Sequence, residues 1–168
     1  EINDTVIKPL EKPNVSFNPD SNEYLVVFNY VYSSTDYDVY ARRFDVSTGT
    51  TINDPILIDT TGANEKNPVV SYGTVDDEYM IVWQEDNTGT YDIHAKRMSI
   101  AGVVLGSEIT VVSGSADKLS PQITFNTTTN QFLVAYEDYR WIDISGAIIA
   151  VDGTIDKHEF IIHGGGTD

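Results

Sequence analysis

The sequence contains no cysteine, few basic residues and no long apolar run. Because cysteine is absent, a disulfide framework and thiol chemistry are both excluded. The 26 acidic residues outnumber the 10 basic ones and give a formal charge of −16. This balance argues against nucleic acid or an anionic membrane as a partner, since a polyanion binds to a basic patch. No run of about 18 apolar residues is present, so we expect no membrane insertion.

Sequence signatures of catalysis are also missing. The chain has no G-x-S-x-G motif of the kind that presents a serine nucleophile. His158 and His163 lie five residues apart, which places them on opposite faces of a strand and argues against a zinc site. Pairs of carboxylates are expected by chance in so acidic a chain and do not by themselves indicate a glycosidase. The sequence therefore predicts a protein that is not an enzyme, with calcium as the one cofactor to consider.

What the sequence does have is a pattern that occurs three times. Each copy opens with a proline, and the three prolines, Pro13, Pro68 and Pro121, lie 55 and 53 residues apart. Two apolar segments joined by a polar loop follow, and then a glycine and a last apolar run. The paired segments occupy residues 23–44, 78–98 and 131–149. A fixed period of this length is typical of a repeat architecture.

The pattern of apolar residues and turn signals in each copy predicts four short β-strands. The second strand is a continuous apolar run, such as residues 79–83, which fits a strand that is buried on both faces. No segment shows the 3.6-residue apolar period of a helix. We therefore predict an all-β fold of β-propeller-type repeats, with three four-stranded antiparallel blades of about 53 residues and an extra N-terminal strand.

We expect one repeat domain over residues 1–168. Its parts are a stray strand at 1–10, blades at 11–62, 63–116 and 117–163, and a flexible tail at 164–168. The chain begins with Glu1 rather than Met, so we expect either a removed signal peptide or a piece of a longer chain. Three blades are fewer than the four to eight of a usual ring, and open strand edges favour association. We expect a homo-oligomer or a filament.

The loops between the second and third strands are acidic in every copy. Carboxylate and amide oxygens around a turn are the ligands that calcium prefers, although the spacing does not match an EF-hand. The candidate ligands are Asp36, Asp38, Asp86, Asn87, Asp92, Asp138 and Asp143. The alternative is structural, because Asp, Asn and Gly are also the residues that hairpin turns require. Arg43 and Arg97 recur at equivalent places, and we expect each to pair with a nearby carboxylate.

Aromatic residues crowd the same loops. Tyr91, Tyr139 and Trp141 are candidates for stacking on the apolar faces of a sugar, or else for packing between blades. Phe28, Trp83 and Tyr136 end the second strand of each copy and are expected to pack between blades. His94 takes the place of Tyr40 in the first copy, so we expect a strand-face residue there rather than a catalyst.

Three N-x-S/T sequons are present, at Asn3, Asn14 and Asn126. Such triplets are acceptors for N-glycosylation in secreted proteins. They are also frequent by chance in a chain rich in Asn and Thr. We therefore treat these three asparagines as candidate glycosylation sites on a secreted protein.

The repeated segments PNVSF, EYLVVF and DVYARR, with their counterparts PVVSY, EYMIVW and DIHAKR, resemble repeats of large secreted surface proteins of bacteria and archaea. Those repeats have LVVW…DIYARR-like blades and are similar to TolB-type propellers. The resemblance implies an extracellular or cell-surface protein that is structural or adhesive and self-associates into a ring or filament. Two alternatives stay open, a carbohydrate- or calcium-dependent binding module and a fragment of a larger propeller enzyme.

Overall fold

A computed structural model describes residues 8–86 and 89–164 of the chain. All regular structure in these ranges is β-strand, which confirms the predicted all-β class. The strands are β1 (Leu10–Asn18), β2 (Glu23–Ser33), β3 (Asp36–Asp45), β4 (Thr50–Asp59), β5 (Asn64–Gly73), β6 (Glu78–Asp86), β7 (Tyr91–Ser99), β8 (Val104–Val112), β9 (Lys118–Asn126), β10 (Gln131–Asp138), β11 (Asp143–Ala150) and β12 (Ile155–His163). Over the described ranges, no helix long and apolar enough to cross a membrane is found. The stray strand expected at residues 1–10 lies almost wholly outside the described residues.

The strands pair in sequence order as three antiparallel meanders. The first meander is β1–β4, the second is β5–β8 and the third is β9–β12. A single parallel bridge between Tyr37 and Asn64 links the first meander to the second. Each sequence repeat therefore folds into one meander.

The first strand of each meander is interrupted where its proline stands. Lys12, Asn67 and Ser120 each precede that proline and have φ values of 53°, 53° and 54°. The pairing register shifts at the same points in β1, β5 and β9. Proline donates no backbone hydrogen bond, so the ladder bulges there and the strand bends. The three bulges lie in equivalent places and shape one surface of the molecule.

Two apolar layers hold the three meanders together. The first interface lies between the first and second meanders, and the second interface lies between the second and third. Strand β6 contributes to both, because Tyr79, Ile81 and Trp83 pack in the first interface while Met80 and Val82 pack in the second. All five side chains are fully or almost fully buried. Burial of each such side chain contributes about 1.5–3 kcal/mol to the stability of the fold. The meanders are therefore held together mainly by apolar contacts between their faces.

Arginines reinforce the two interfaces in the same way. Arg43 pairs with Glu23 at 2.8 Å and donates to the backbone oxygen of Ala101, across the first interface. Arg97 pairs with Glu78 at 2.8 Å and donates to the backbone oxygen of Asp152, across the second. The predicted pairing of both arginines with carboxylates is confirmed.

Candidate functional site

The three bulged strands line a shared groove. Its cavity has a volume of about 290 Å³. The lining residues are Lys12, Pro13, Asn14, Asn67, Pro68, Val69, Ser120, Pro121 and Gln122. Each repeat contributes the same three positions around its proline, so the groove is a product of the repeat itself. We call it the inner groove.

Amide side chains fix the first strands relative to one another along the inner groove. Asn29 Oδ1 accepts a hydrogen bond from the backbone N–H of Asn67 at 3.1 Å. Gln84 Oε1 accepts the equivalent bond from Ser120 at 2.9 Å, and it also accepts from Asn67 Nδ2 at 2.8 Å. The lining itself includes the amides of Asn14, Asn67 and Gln122 and the hydroxyl of Ser120. Amides and hydroxyls both donate and accept hydrogen bonds, so the surface is suited to a hydroxyl-rich ligand. No described residue of the lining carries a carboxylate.

A second group of polar side chains lies in the first interface, and all of them except the half-buried Glu108 are buried. We call it the acidic cluster, and it consists of Asp59, Glu65, Glu85, His94 and Glu108. One ligand atom from each of Asp59, Glu65 and Glu85 lies within 4.8 Å of the other two. The same holds for Glu85, His94 and Glu108. The cluster joins the end of β4 to four strands of the second meander.

Specific donors hold parts of the acidic cluster. Thr61 Oγ1 donates to Glu65 Oε1 at 2.5 Å, and Trp83 Nε1 donates to Glu85 Oε2 at 3.0 Å. His94 Nδ1 lies 2.5 Å from Glu108 Oε1. Within the cluster, His94 is thus a buried strand-face residue.

Lys96 supplies a positive charge to the acidic cluster. Its Nζ lies 2.5 Å from Asp59 Oδ1 and 3.0 Å from the backbone oxygen of Ile58. Asp59 is 5 % exposed, Glu65 is 0 % and Glu85 is 2 %. Three carboxyl groups are therefore removed from water beside one ammonium group. Burying charge without compensation is costly, so protons or cations must accompany these groups.

The pKa values follow from this burial. Burial raises the pKa of Glu65 to about 7, with a smaller increase from the charges of Asp59 and Glu85 and an opposing effect of the Thr61 hydrogen bonds. Burial and then the charge of Glu85 raise the pKa of Glu108, against the attraction of His94. The cluster therefore favours protonation or a bound positive charge.

The candidate calcium ligands from the sequence are distributed over all three meanders. Asp36 and Asp38 lie in the first meander and line a cavity of about 330 Å³ together with Tyr32 and Tyr40. Burial, followed by the charge of Asp36, raises the pKa of Asp38 to about 6. The structure brings these two together but places them apart from the acids of the other two loops.

The remaining acids of that set have local partners. Asp86 accepts from the backbone N–H of Gly89, as in a turn, and Asp92 accepts from that of Gly114. Asp138 is fully buried and pairs with Lys118 at 3.2 Å and Arg140 at 2.9 Å. Asp143 begins β11, and Asn87 lies outside the described residues. Calcium at these loops stays a prediction.

The candidate stacking aromatics fall into two places. Tyr139 and Trp141 are more than half exposed on the third meander, with the Arg140 guanidinium 5.7 Å from the Trp141 ring centre. Tyr91 is half-buried in the second meander, and its hydroxyl accepts from Asn64 Nδ2 at 3.4 Å.

The aromatic residues predicted to pack between blades differ in burial. Trp83 and Tyr136 are buried in the first and second interfaces, as predicted. Phe28 lies on the uncovered face of the first meander and is half-buried.

Two of the three sequons lie in the described part of the chain. Asn14 lines the inner groove, and its Oδ1 accepts from the backbone N–H of Val70 at 3.1 Å. Asn126 is exposed at the end of β9, where its Oδ1 accepts from the N–H groups of Thr128 and Thr129. Asn3 lies outside the described residues. Glycosylation at these positions stays a prediction.

Sequence reasoning missed the acidic cluster and the inner groove. Asp59, Glu65 and Glu108 are separated by long stretches of chain, and no local motif links them. The sequence did contain a signal for the groove, namely the recurring proline. Each of the three prolines lines the groove together with the residue that precedes it. Folding of the repeat brings both sites together.

No family profile matches the sequence, and no curated protein matches it. Solved structures do match its fold. An exo-beta-1,3-galactanase from Clostridium thermocellum aligns with a TM-score of 0.64 at 12% identity, over 88% of this chain and 36% of that one. An alpha-L-arabinofuranosidase from Lactobacillus brevis aligns with a TM-score of 0.62 at 12% identity, over 90% of this chain and 55% of that one. TolB from Acinetobacter baumannii aligns with a TM-score of 0.52 at 14% identity, over 92% of this chain and 33% of that one.

These likenesses show a β-propeller-type fold and confirm the resemblance to TolB-type propellers at that level. The chain spans only about a third to just over half of the length of these structures. The prediction of a non-enzymatic structural or adhesive module is wrong on this finding, because the chain shares its fold with glycoside hydrolases. The homo-oligomer or filament stays a prediction. A fragment of a larger propeller enzyme was one of the open alternatives, but carboxylate pairs carry little information in so acidic a chain and could not favour it.

Proposed function

We propose that the chain supplies three consecutive four-stranded blades of a larger β-propeller that acts on carbohydrate. Each meander packs face to face on the next, which is how propeller blades bury surfaces that one sheet cannot bury alone. The likeness to an exo-beta-1,3-galactanase and an alpha-L-arabinofuranosidase supports the carbohydrate class. Three blades make part of a ring of four to eight, in accord with the partial coverage of the longer structures.

The inner groove is the proposed carbohydrate-facing surface. The observation that carries this assignment is that all three repeats place equivalent residues in one cavity, Lys12, Asn67 and Ser120 among them. In a propeller the first strands of the blades surround the central axis, and β1, β5 and β9 are neighbours here. Exposed amide and ammonium groups at this place offer hydrogen bonds to sugar hydroxyls.

Hydrolysis requires two carboxyl groups on opposite sides of the glycosidic bond. The lining of the inner groove includes none among the described residues. We therefore assign the catalytic acids to the blades that complete the ring, whether from a longer polypeptide or a second copy. In this proposal, the present chain contributes sugar-binding contacts.

Replacing Gln122 tests the inner groove. Its side chain is exposed in the groove, with Nε2 near the backbone oxygen of Pro121 at 2.8 Å. We expect Gln122→Ala to weaken binding of galactan or arabinan oligosaccharides about tenfold, the cost of one or two hydrogen bonds. Titration calorimetry measures the affinity.

Gln131→Ala is the matched control. Gln131 bonds to Asp156 at the far end of β10 and is remote from the groove lining. It should leave binding unchanged. If none of these oligosaccharides binds, or if both variants weaken binding equally, the assignment of the groove is wrong.

A further inference from the structure

The two interfaces place different charges at one equivalent position. In the first interface Glu65 lies opposite Glu85 in the β5–β6 ladder. In the second interface Lys118 lies opposite Asp138 in the β9–β10 ladder. Lys118 is 0 % exposed, and its Nζ lies 3.2 Å from Asp138 Oδ1. The second interface thus carries its own buried cation, whereas the first interface has a carboxylate at that position.

Atoms of the acidic cluster also lack partners. Asp59 Oδ2, Glu65 Oε2 and His94 Nε2 are buried and have no hydrogen-bond partner. All three residues are more than nine-tenths buried. Each unsatisfied buried polar atom is destabilising, and a charged one more so. Asp59 and Glu65 belong to the same group of three convergent carboxylates, so the unsatisfied oxygens and the surplus charge occur together.

The spacing of these carboxylates suits a metal ion. Calcium binds oxygens at about 2.3–2.6 Å, so two ligands on opposite sides of the ion lie about 4.6–5.2 Å apart. The ligand oxygens of Asp59, Glu65 and Glu85 all lie within 4.8 Å of one another. An all-carboxylate set is typical of a hard divalent cation.

We propose that Asp59, Glu65 and Glu85 bind a calcium ion at the place where the second interface has the ammonium group of Lys118. The ion joins the first meander, through Asp59, to the second, through the two glutamates. It neutralises the surplus negative charge and satisfies the free oxygens. The proposed ligand set does not include Asp86 or Asp92, which accept hydrogen bonds from the backbone N–H groups of Gly89 and Gly114.

Terbium luminescence tests the site directly. Terbium replaces calcium at oxygen sites and emits when a nearby tryptophan is excited, and Trp83 donates to Glu85 at 3.0 Å. The chain has two tryptophans, Trp83 and Trp141. We expect terbium chloride to give sensitised emission that calcium chloride displaces. Trp83→Phe should remove most of the emission, and Trp141→Phe should retain it.

Glu65→Gln tests the ligand set, since it keeps the shape and removes one charge. Calorimetry with calcium chloride should show that the affinity falls more than about tenfold. Loss of a residue that only hydrogen-bonds to a metal ligand already lowers metal affinity by about tenfold or more, and loss of a ligand should cost at least as much. Glu137→Gln is the matched control on the third meander, and Asp86→Asn tests the turn. Neither should change the affinity.

Wild-type protein gives an independent measurement if a variant folds poorly. Calcium chloride should raise its melting temperature after treatment with EDTA, because a ligand of the folded state stabilises it. The proposal is overturned if millimolar calcium neither binds nor raises the melting temperature. It is also overturned if Asp86→Asn, and not Glu65→Gln, removes binding, or if zinc binds and calcium does not.

Discussion

The two interfaces of this protein share their apolar layer and their arginine links but differ in buried charge. Ile56 lies against Gly102 in the first interface, and Ile109 lies against Gly153 in the second. The ladder position that holds Glu65 in one holds Lys118 in the other. A repeat therefore fixes how two meanders meet, while positions that differ within it, Glu65 and Lys118 among them, give each interface its own buried charges.

Removing the buried cation of the second interface should have the largest effect. We expect Lys118→Met to lower the free energy of unfolding by about 3 kcal/mol, because Asp138 loses a buried partner while keeping Arg140. Urea denaturation measures the change. Lys157→Met, at an exposed lysine, is the control and should change stability little. A Lys118 variant as stable as the control would show that the ion pair does not hold this interface.

Placing a lysine in the first interface at the position that Lys118 occupies in the second should have a smaller effect on the free energy of unfolding, and of opposite sign. We expect Glu65→Lys to raise the free energy of unfolding in EDTA by about 1 kcal/mol, since it converts a pair of like charges into a buried ion pair with Glu85. The variant should also lose its response to calcium. Glu137→Lys serves as the control for a general effect of net charge.

Urea denaturation with and without calcium chloride measures both effects of Glu65→Lys. A variant that is less stable than the wild type in EDTA would contradict the equivalence of the two ladder positions. Retention of the calcium response would contradict the role of Glu65 as a ligand.

A predicted difference of similar size concerns the turn glycines. Gly49 and Gly102 both have positive φ, at 68° and 85°. A Cβ on Gly102 would lie 2.8 Å from Ile56 Cδ1, whereas a Cβ on Gly49 would meet nothing within 4 Å. We expect Gly49→Ala to cost about 1 kcal/mol for backbone strain and Gly102→Ala about 1 kcal/mol more for the contact.

Thermal denaturation of the two glycine variants measures this difference. It arises because the turn of the second meander is covered by the first meander, while the turn of the first meander is open. Equal losses of stability would mean that Ile56 moves aside and that the interface is not closely packed at this point.

The outer faces show how far the repeat determines burial. Tyr79 is 1 % exposed and Phe132 is 2 % exposed, but the equivalent Tyr24 is 38 % exposed. The three positions are alike in sequence, and Tyr24 differs only because no described meander covers it. Val15 and Phe17 are exposed for the same reason, at the places where Val70 and Tyr72 are buried. The outer face of the first meander is thus built like the face of the second meander that is buried in the first interface.

The sequence by itself determined the all-β class and the pairing of Arg43 and Arg97 with carboxylates. These follow from alternating and continuous apolar runs and from recurrence within the chain, which are local properties. It also placed Trp83 and Tyr136 in the core, because the run that each one ends has the pattern of a strand buried on both faces.

Only the tertiary structure decided which side chains meet across the meanders. Asp59 and Glu108 lie 49 positions apart, yet they belong to one buried cluster because β4 and β8 contribute to the same interface. The inner groove arises similarly, since three bulges that are distant in the chain bend towards one cavity. Contacts between faces depend on how sheets pack, and this packing joins residues whose separation leaves no local pattern to recognise.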